Sequence, residues 1–348
     1  MFRIGKRKIG QGEPVFVVAE LSGNHNGSLK RALALIDAAA EAGADAVKLQ
    51  TYTPDTLTIN VDSPLFRIKS GKNWKGKTLY ELYKEAYTPW QWHKKLFAHA
   101  KRRGLTCFST PFDESAVAFL EKLNNPICKV ASFEIVDIPL LRCIGKTRKP
   151  VIISRGMASV AEIKQAIATL RKAGSRDIVV LQCVSAYPAE AEDMNLATIP
   201  DIQKRFKTLA GLSDHSLESD VAVAAVALGA VVIEKHITLR RKDGGPDAAF
   251  SLEPQEFKAL VRSIRTAEAA IGTPTYAPRH AEKTNMQFRR SLFVVANVKT
   301  GERFTKKNVR SIRPGNGLPP KEYDRVIGKR AVKEISRGTP LTWKLIKG

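Results

Sequence analysis

A chain of 348 residues exceeds one average domain and suits a barrel of roughly 250 residues followed by a small module. Hydrophobic residues make up 43%, ample for a core. No apolar run approaches the ~18 residues that span a bilayer, and the basic N-terminus MFRIGKRKIGQGEP lacks the apolar stretch of a signal peptide, so no membrane partner is expected. The formal charge of +23 is concentrated at one end: Tyr276–Gly348 carries 18 Lys and Arg against 5 Asp and Glu. These charges are scattered without the interleaved aromatic residues that stack bases. They argue against a nucleic-acid partner and for a solvated basic surface that attracts anionic substrates.

Taken in chain order, short apolar runs alternate with helical patterns, and nearly every run ends at a residue able to do chemistry. VFVVAE ends at Glu20, and the helical pattern LKRALALIDAAAEAG ends at Gly43. DAVKLQ carries Lys48 and ends at Gln50. A long connection follows, from Thr51 to about Pro89, with Asp55, Arg67, Trp74, Tyr80 and Tyr87; its length marks a lid or specificity element. LTCFST ends at Thr110, ICKVAS holds Lys129 and Ser132, and PVIIS ends at Ser154. DIVVLQCVS ends at Ser185, with Tyr187 just beyond; LAGLSDH ends with Ser213 and His215; AVVIEKH holds Glu234 and His236. Helical ESAVAFLEKLN, SVAEIKQAIATLRKAG, SDVAVAAVALG and EPQEFKALVRSIRTAEAAIG fall between or after them.

Repeated strand–helix units predict an α/β fold, a (β/α)8 TIM barrel over residues 1–272 with its site at the C-terminal mouth. GTPTYAPRHAEKTNMQF reads as a linker over 273–288, and 289–348 as a small β-rich module. Within that module VVANVKTGERFT and AVKEISRGTPLT form a weak internal repeat. Cys107, Cys128, Cys143 and Cys183 form no CxxC pair, and three lie in or beside buried runs; reduced thiols in a cytoplasmic protein are the simplest account.

His215 and His236 end neighbouring strands of a closed barrel, and two neutral imidazoles there are candidate ligands for a divalent cation. Two protein ligands leave an open sphere, which suits Lewis-acid work on a carbonyl; the bland alternative is two histidines satisfied by barrel polar groups. Lys48 and Lys129, with Thr110, Ser132, Ser154, Ser185 and Ser213, suit a phosphate or carboxylate ligand, although a lysine Schiff base has the same spacing. Glu20 and Glu234 are either paired with lysine or tuned for proton transfer. Asp247 lies in the glycine-rich DGGPDAAFSLEP, and Arg313 in SIRPGNGLPP could complete an anion or amide clamp over a barrel mouth.

At AELSGNHNGS, EAGADAVKLQTY, CFSTPFD, KVASFEI, ISRGMAS, CVSAYP, GLSDHS, VIEKHITL, GPDAAFSLEP and RPGNGL the chain resembles the sialic acid synthase family, across essentially its whole length. Members condense phosphoenolpyruvate with an N-acetylated amino sugar and end in an antifreeze-like (SAF) module. The longer phrases YTPDTLT, TLYELYKEAYTPWQWH, SFEIVDIPL and DGGPDAAFSLEP are most similar to the pseudaminic acid branch, with the neuraminate and legionaminate branches as alternatives. The resemblance implies that His215 and His236 hold a divalent metal, usually manganese, with magnesium or cobalt as alternatives. It implies that Lys48, Thr110, Lys129, Ser132, Ser154, Ser185 and Ser213 bind phosphoenolpyruvate. It places Glu20, Gln50, Tyr187, Asp247, Phe288 and Arg313 near the sugar and Glu234 near the reacting carbons. It further implies a homodimer in which the SAF module caps the partner's barrel, so that Arg313 acts in trans. Two departures from the neuraminate branch stand out. Ser185 replaces Asn, and Ala248 replaces a polar residue in GPDAAF, which fits a 6-deoxy-2,4-diacetamido hexose better than N-acetylmannosamine.

Overall fold

A computed structural model describes residues 1–5, 7–69 and 74–348, which form two compact units, Met1–Gly272 and Thr273–Gly348. In the first unit eight parallel strands close into a barrel in chain order, with the last pairing the first. They are β1 (Phe16–Glu20), β2 (Ala46–Thr51), β3 (Thr106–Pro111), β4 (Cys128–Val130), β5 (Val151–Ser154), β6 (Ile178–Cys183), β7 (Leu209–Asp214) and β8 (Val232–His236). The strands are buried on both faces, which is why they read as nearly continuous apolar runs rather than alternating ones.

The period of two still decides which residues face the lumen. Phe16, Val18, Phe108, Ile152, Val179 and Leu181 fill the lower interior, while Val17, Val47, Val130, Ile153 and Val180 face the surrounding helices. Carrying the same alternation upward points Glu20, Lys48, Gln50, Thr110, Lys129, Ser154, Ser213, Glu234 and His236 into the upper lumen. The barrel helices are α1 (Leu29–Ala42), α2 (Trp90–Arg102), α3 (Glu114–Lys122), α4 (Ile138–Lys146), α5 (Val160–Ala173), α6 (Thr198–Phe206), α7 (Asp220–Ala227) and α8 (Pro254–Ile271). Several begin with a side-chain cap, as where Asp113 accepts from the Ala116 amide at 3.1 Å, a bond that stabilises a helix by ~1 kcal/mol.

Two features go beyond the sequence reading. The basic N-terminal segment forms a hairpin, Phe2–Ile4 pairing antiparallel with Arg7–Ile9, and its buried Phe2, Ile4 and Ile9 join the apolar cluster of the lower barrel. The strands are only three residues each, too short to signal periodicity. The long connection after β2 holds two helices, Pro54–Leu57 and Leu79–Ala86, the second opened by a Thr78–Glu81 capping box. Strand β4 is also shorter than ICKVAS suggested, so Ser132 lies in the turn after it.

In the second unit the two repeat phrases pair with each other. Val298 and Ile335 exchange both backbone hydrogen bonds, at 2.9 and 2.8 Å, and the Gly301 amide bonds Ala331 while the Gly338 amide bonds Val294. Leu292, Val294, Val298, Phe304, Ile335 and Leu341 form its core. The stretch read as a linker contains a short helix, His280–Lys283, and a helical turn, Thr284–Phe288.

Gly211, facing the barrel lumen, has no room for a side chain: a Cβ there would lie 2.4 Å from the Val232 carbonyl oxygen and 2.6 Å from Leu181 Cδ2. Gly211→Ala is therefore expected to cost about 1–3 kcal/mol by overpacking. Urea unfolding checks this, and an unchanged midpoint would contradict the close approach of β7 to β8.

Candidate active site

The polar ends of the strands surround a cavity of about 470 Å³ at the C-terminal mouth of the barrel. Lys48, Gln50, Lys129, Ser132, Ser154, Tyr187, Ser213, His215, Glu234, His236 and Asp247, all anticipated from the sequence, line it. Its electrostatic centre is Lys48. The Lys48 ammonium lies 2.8 Å from Glu20 and 2.8 Å from Glu234, and all three side chains are buried. Burial alone would pull the Lys48 ammonium down, but the two carboxylates hold it above the usual lysine range. The carboxylates themselves divide. Burial raises the Glu20 carboxyl despite Lys48, while at Glu234 Lys129 and Lys48 together outweigh burial and hold the group ionised. Lys129 lies 4.0 Å from Glu234 and donates to Ser154 Oγ at 2.7 Å; burial pulls its ammonium down to about 8.

One side of the cavity is rich in hydroxyls. Ser132 Oγ and Ser185 Oγ are 2.9 Å apart, which ties Ser185, two residues beyond the end of β6, to the turn after β4. Gly156, with φ of 46°, closes this corner: a Cβ would meet Ser132 Cβ at 2.4 Å and Ser185 Oγ at 2.8 Å. Thr110 is opposite Gln50 in the β2–β3 register, buried, with its Oγ1 unpartnered. Unlike Ser132, Ser154 and Ser213, neither Thr110 nor Ser185 lines the cavity itself.

The opposite side is organised by Ser22, which the sequence reading passed over. Ser22 adopts φ of 45°, a left-handed conformation costly for a residue with a side chain. This places its amide 2.7 Å from Glu20 Oε1 and its hydroxyl as donor to Asp247, while Gln50 Nε2 donates to Ser22 Oγ at 3.1 Å. Burial raises the Asp247 carboxyl. Tyr187 packs between Trp74 and His215 with its ring tilted to both, at ring separations of 5.7 and 4.5 Å, and burial keeps its hydroxyl protonated. Glu134, also unanticipated, lines the same cavity; burial pushes its carboxyl up to about 7, and its Oε2 is sealed from solvent without a partner. Its sequence signals were its place two residues past Ser132 and inside the phrases KVASFEI and SFEIVDIPL. Phe288 and Arg313 belong to the second unit, where both are exposed.

His215 and His236 face each other with ring centroids 5.4 Å apart. The His215 Nδ1–H donates to the Val184 carbonyl at 2.8 Å, which leaves Nε2 as the electron-pair donor. His236 Nδ1 is buried without a partner. The pair thus fits the open coordination sphere expected of a catalytic divalent cation, and among the described residues no cluster of three His, Cys, Asp or Glu forms a closed cage.

Behind these histidines, on the outer face of the barrel, Lys235 and Asp214 form a fully buried ion pair of 2.7 Å. Lys235 Nζ also donates to the Ser216 carbonyl at 2.5 Å and the Glu218 carbonyl at 3.2 Å, and Asp214 Oδ1 accepts from the Ser216 amide at 2.9 Å. The chain flanking His215 is thereby bolted to the residue before His236. Asp214→Asn leaves the Lys235 ammonium buried without its counter-charge and is expected to cost about 3–5 kcal/mol in urea unfolding. A loss below about 1 kcal/mol would mean that the pair does not hold the two strand ends together.

Residues 35–276 match the NeuB family and residues 289–347 the SAF domain. The chain is 45% identical over 327 residues to the pseudaminic acid synthase of Campylobacter jejuni, covering 94% of this chain and 95% of that protein. It is 42% identical over 332 residues to the pseudaminic acid synthase of Helicobacter pylori, covering 95% of this chain and 97% of that one. The crystal structure of an N-acetylneuraminic acid synthetase from Leptospira borgpetersenii in complex with citrate is similar with a TM-score of 0.74 and 33% identity, over 83% of this chain and 95% of that one. With a family match spanning most of its length, a closed barrel and the attached SAF domain, this chain belongs to the NeuB family.

Proposed function

We propose that the chain condenses phosphoenolpyruvate with 2,4-diacetamido-2,4,6-trideoxy-L-altrose, giving pseudaminic acid and phosphate. The observation that carries this reading is the convergence in one cavity of two lysines, Glu234 and two facing histidines, with Glu20 buried against Lys48. The choice of acceptor rests on likeness to the two pseudaminic acid synthases.

In this reading Lys48 and Lys129 bind the phosphate and carboxylate of phosphoenolpyruvate, with Ser132, Ser154, Ser185, Ser213 and Thr110 supplying hydrogen bonds. Charge-assisted bonds in so sheltered a site are about twice as strong as neutral ones. His215 and His236 would hold a divalent cation, manganese by the family resemblance, and when bound it would polarise the open-chain aldehyde of the sugar. C3 of phosphoenolpyruvate attacks that carbon, and the resulting alkoxide takes a proton. Glu20, whose carboxyl burial raises while Lys48 opposes the rise, is the candidate to manage that proton. Water then adds at C2 of the three-carbon unit and loses a proton, and the C–O bond breaks to expel phosphate. Glu234, held ionised beside two lysines, stabilises the cationic character that develops at C2. Gln50, Tyr187 and Asp247 orient the sugar, and Phe288 and Arg313 reach the site from the SAF unit of a dimer partner. No helix among the described residues is long and apolar enough to cross a membrane, and both substrates are small polar molecules.

Phosphate release is expected from phosphoenolpyruvate with manganese and the altrose sugar, abolished by EDTA and lowered at least about 100-fold in His236→Ala. Release with N-acetylmannosamine instead would move the chain to the neuraminate branch. Release with neither sugar, or full activity in metal-stripped His236→Ala, would contradict the reading. Arg313→Ala should raise the KM for the sugar more than that for phosphoenolpyruvate. Mixing it with an inactive barrel-site variant should restore activity, and no recovery would argue against capping in trans.

A further inference from the structure

The cavity has an apolar wall that the chemistry above leaves unused. In the helix Leu79–Ala86 of the long connection, Leu79, Leu82, Tyr83 and Ala86 fall at helical spacing, and all four line the cavity, joined by Ile68. Phosphoenolpyruvate, small and carrying two anionic groups, has no use for such a wall, and the lysines and hydroxyls are supplied by the barrel strands and their turns. One carboxyl accompanies the wall. Glu134 is close enough to Tyr83 for its charge to raise the Tyr83 hydroxyl, after burial, and its Oε2 is buried and unpartnered. An apolar recess with one buried group that can donate and accept matches an acetamido group, which is a methyl carried on a carbonyl and an N–H.

We infer that the recess between Glu134 and the Leu79–Ala86 helix is a subsite for one acetamido group of the acceptor, in which Glu134 donates its carboxyl proton to the acetamido carbonyl while Leu79 and Leu82 enclose the methyl. This rests on the acceptor proposed above. Burial pushes the Glu134 carboxyl up to about 7, which keeps the donor form populated at neutral pH. The charged and titratable groups that face it are Lys129 on β4, Asp137 on its own turn, Tyr83 on the loop helix and Tyr187 after β6.

The test compares kcat/KM for the diacetamido sugar with that for its 4-amino counterpart, which lacks one acetyl group. The wild type should prefer the diacetamido sugar, and Glu134→Ala should shrink that preference about tenfold, the effect of leaving one buried polar group unpaired. The KM for phosphoenolpyruvate should stay within about twofold, since Glu134 makes no contact with it in this account. Leu79→Trp, which fills the recess, should shrink the preference in the same way. Glu134→Gln keeps a neutral donor and should retain it. In the wild type the KM for the diacetamido sugar should rise as pH passes through about 7 and the acid ionises. Glu134→Gln should remove that rise, which separates Glu134 from Lys129, pulled down to about 8 nearby. An unchanged preference in folded, active Glu134→Ala and Leu79→Trp would overturn the subsite alone. A wild type that turns over neither sugar would remove the acceptor assignment, and the subsite with it.

Discussion

One buried ammonium, that of Lys48, holds the mouth of this barrel together. Two carboxylates 2.8 Å from it, Glu20 and Glu234, come from the two strands that flank the closure of the sheet, so the charge cluster exists only when β8 meets β1. Neither carboxylate could remain in so buried a place without a cation, and the lysine could not remain without them. The cluster also sets up the division that chemistry needs: Glu20 with one lysine close by and a raised carboxyl, Glu234 with two and an ionised one. Removal of Lys48 would therefore disturb folding and chemistry together, whereas the hydroxyls of the opposite corner can be altered more independently.

Around that cluster the fold separates tasks by face. The lumen side of the strands carries polar groups at the upper end, mostly charge, amide and hydroxyl with the Cys183 thiol on β6, and apolar side chains below, closed at the base by the N-terminal hairpin. The outer side is mostly apolar, with buried polar groups at Thr51, Ser109 and Gln182 and with the buried Asp214–Lys235 pair, which fixes the ends of the two strands that present the histidines. A loop of two helices adds the apolar wall, with Trp74 anchored by its indole N–H to the Pro246 carbonyl at 2.8 Å. In the proposed reaction rigid strands supply the reacting groups, and the long loop supplies a surface that can vary with the acceptor.

Much of this was legible from residue order. Strands buried on both faces announce themselves as apolar runs, and the residue that breaks each run lies at the mouth, so Glu20, Lys48, Lys129, Ser154, Ser213, Glu234 and His236 could be placed before any coordinates. The repeat in the second unit was visible as two similar phrases, but not that Val298 and Ile335 would pair across it, because pairing is a non-local property. Ser22 and Glu134 were missed for related reasons. Ser22 matters through a left-handed backbone that only its hydrogen bonds to Glu20 and Asp247 explain, and Glu134 lies on a short turn with no periodicity. The two loop helices were hidden inside a connection whose composition is polar and mixed. The side chains that form the cavity wall recur at 79, 82, 83 and 86, a helical signal only four residues deep.

The central claim is that the lysine-lined mouth activates C2 of phosphoenolpyruvate toward water and breaks its C–O bond, rather than cleaving phosphorus from oxygen. Phosphoenolpyruvate carrying ¹⁸O in the bridging position, turned over with the altrose sugar, tests this directly by mass spectrometry of both products. The account predicts that the label leaves with phosphate and that the sugar acid is unlabelled. Label retained in the sugar acid would mean attack at phosphorus, and would contradict the roles given to Lys48, Lys129 and Glu234.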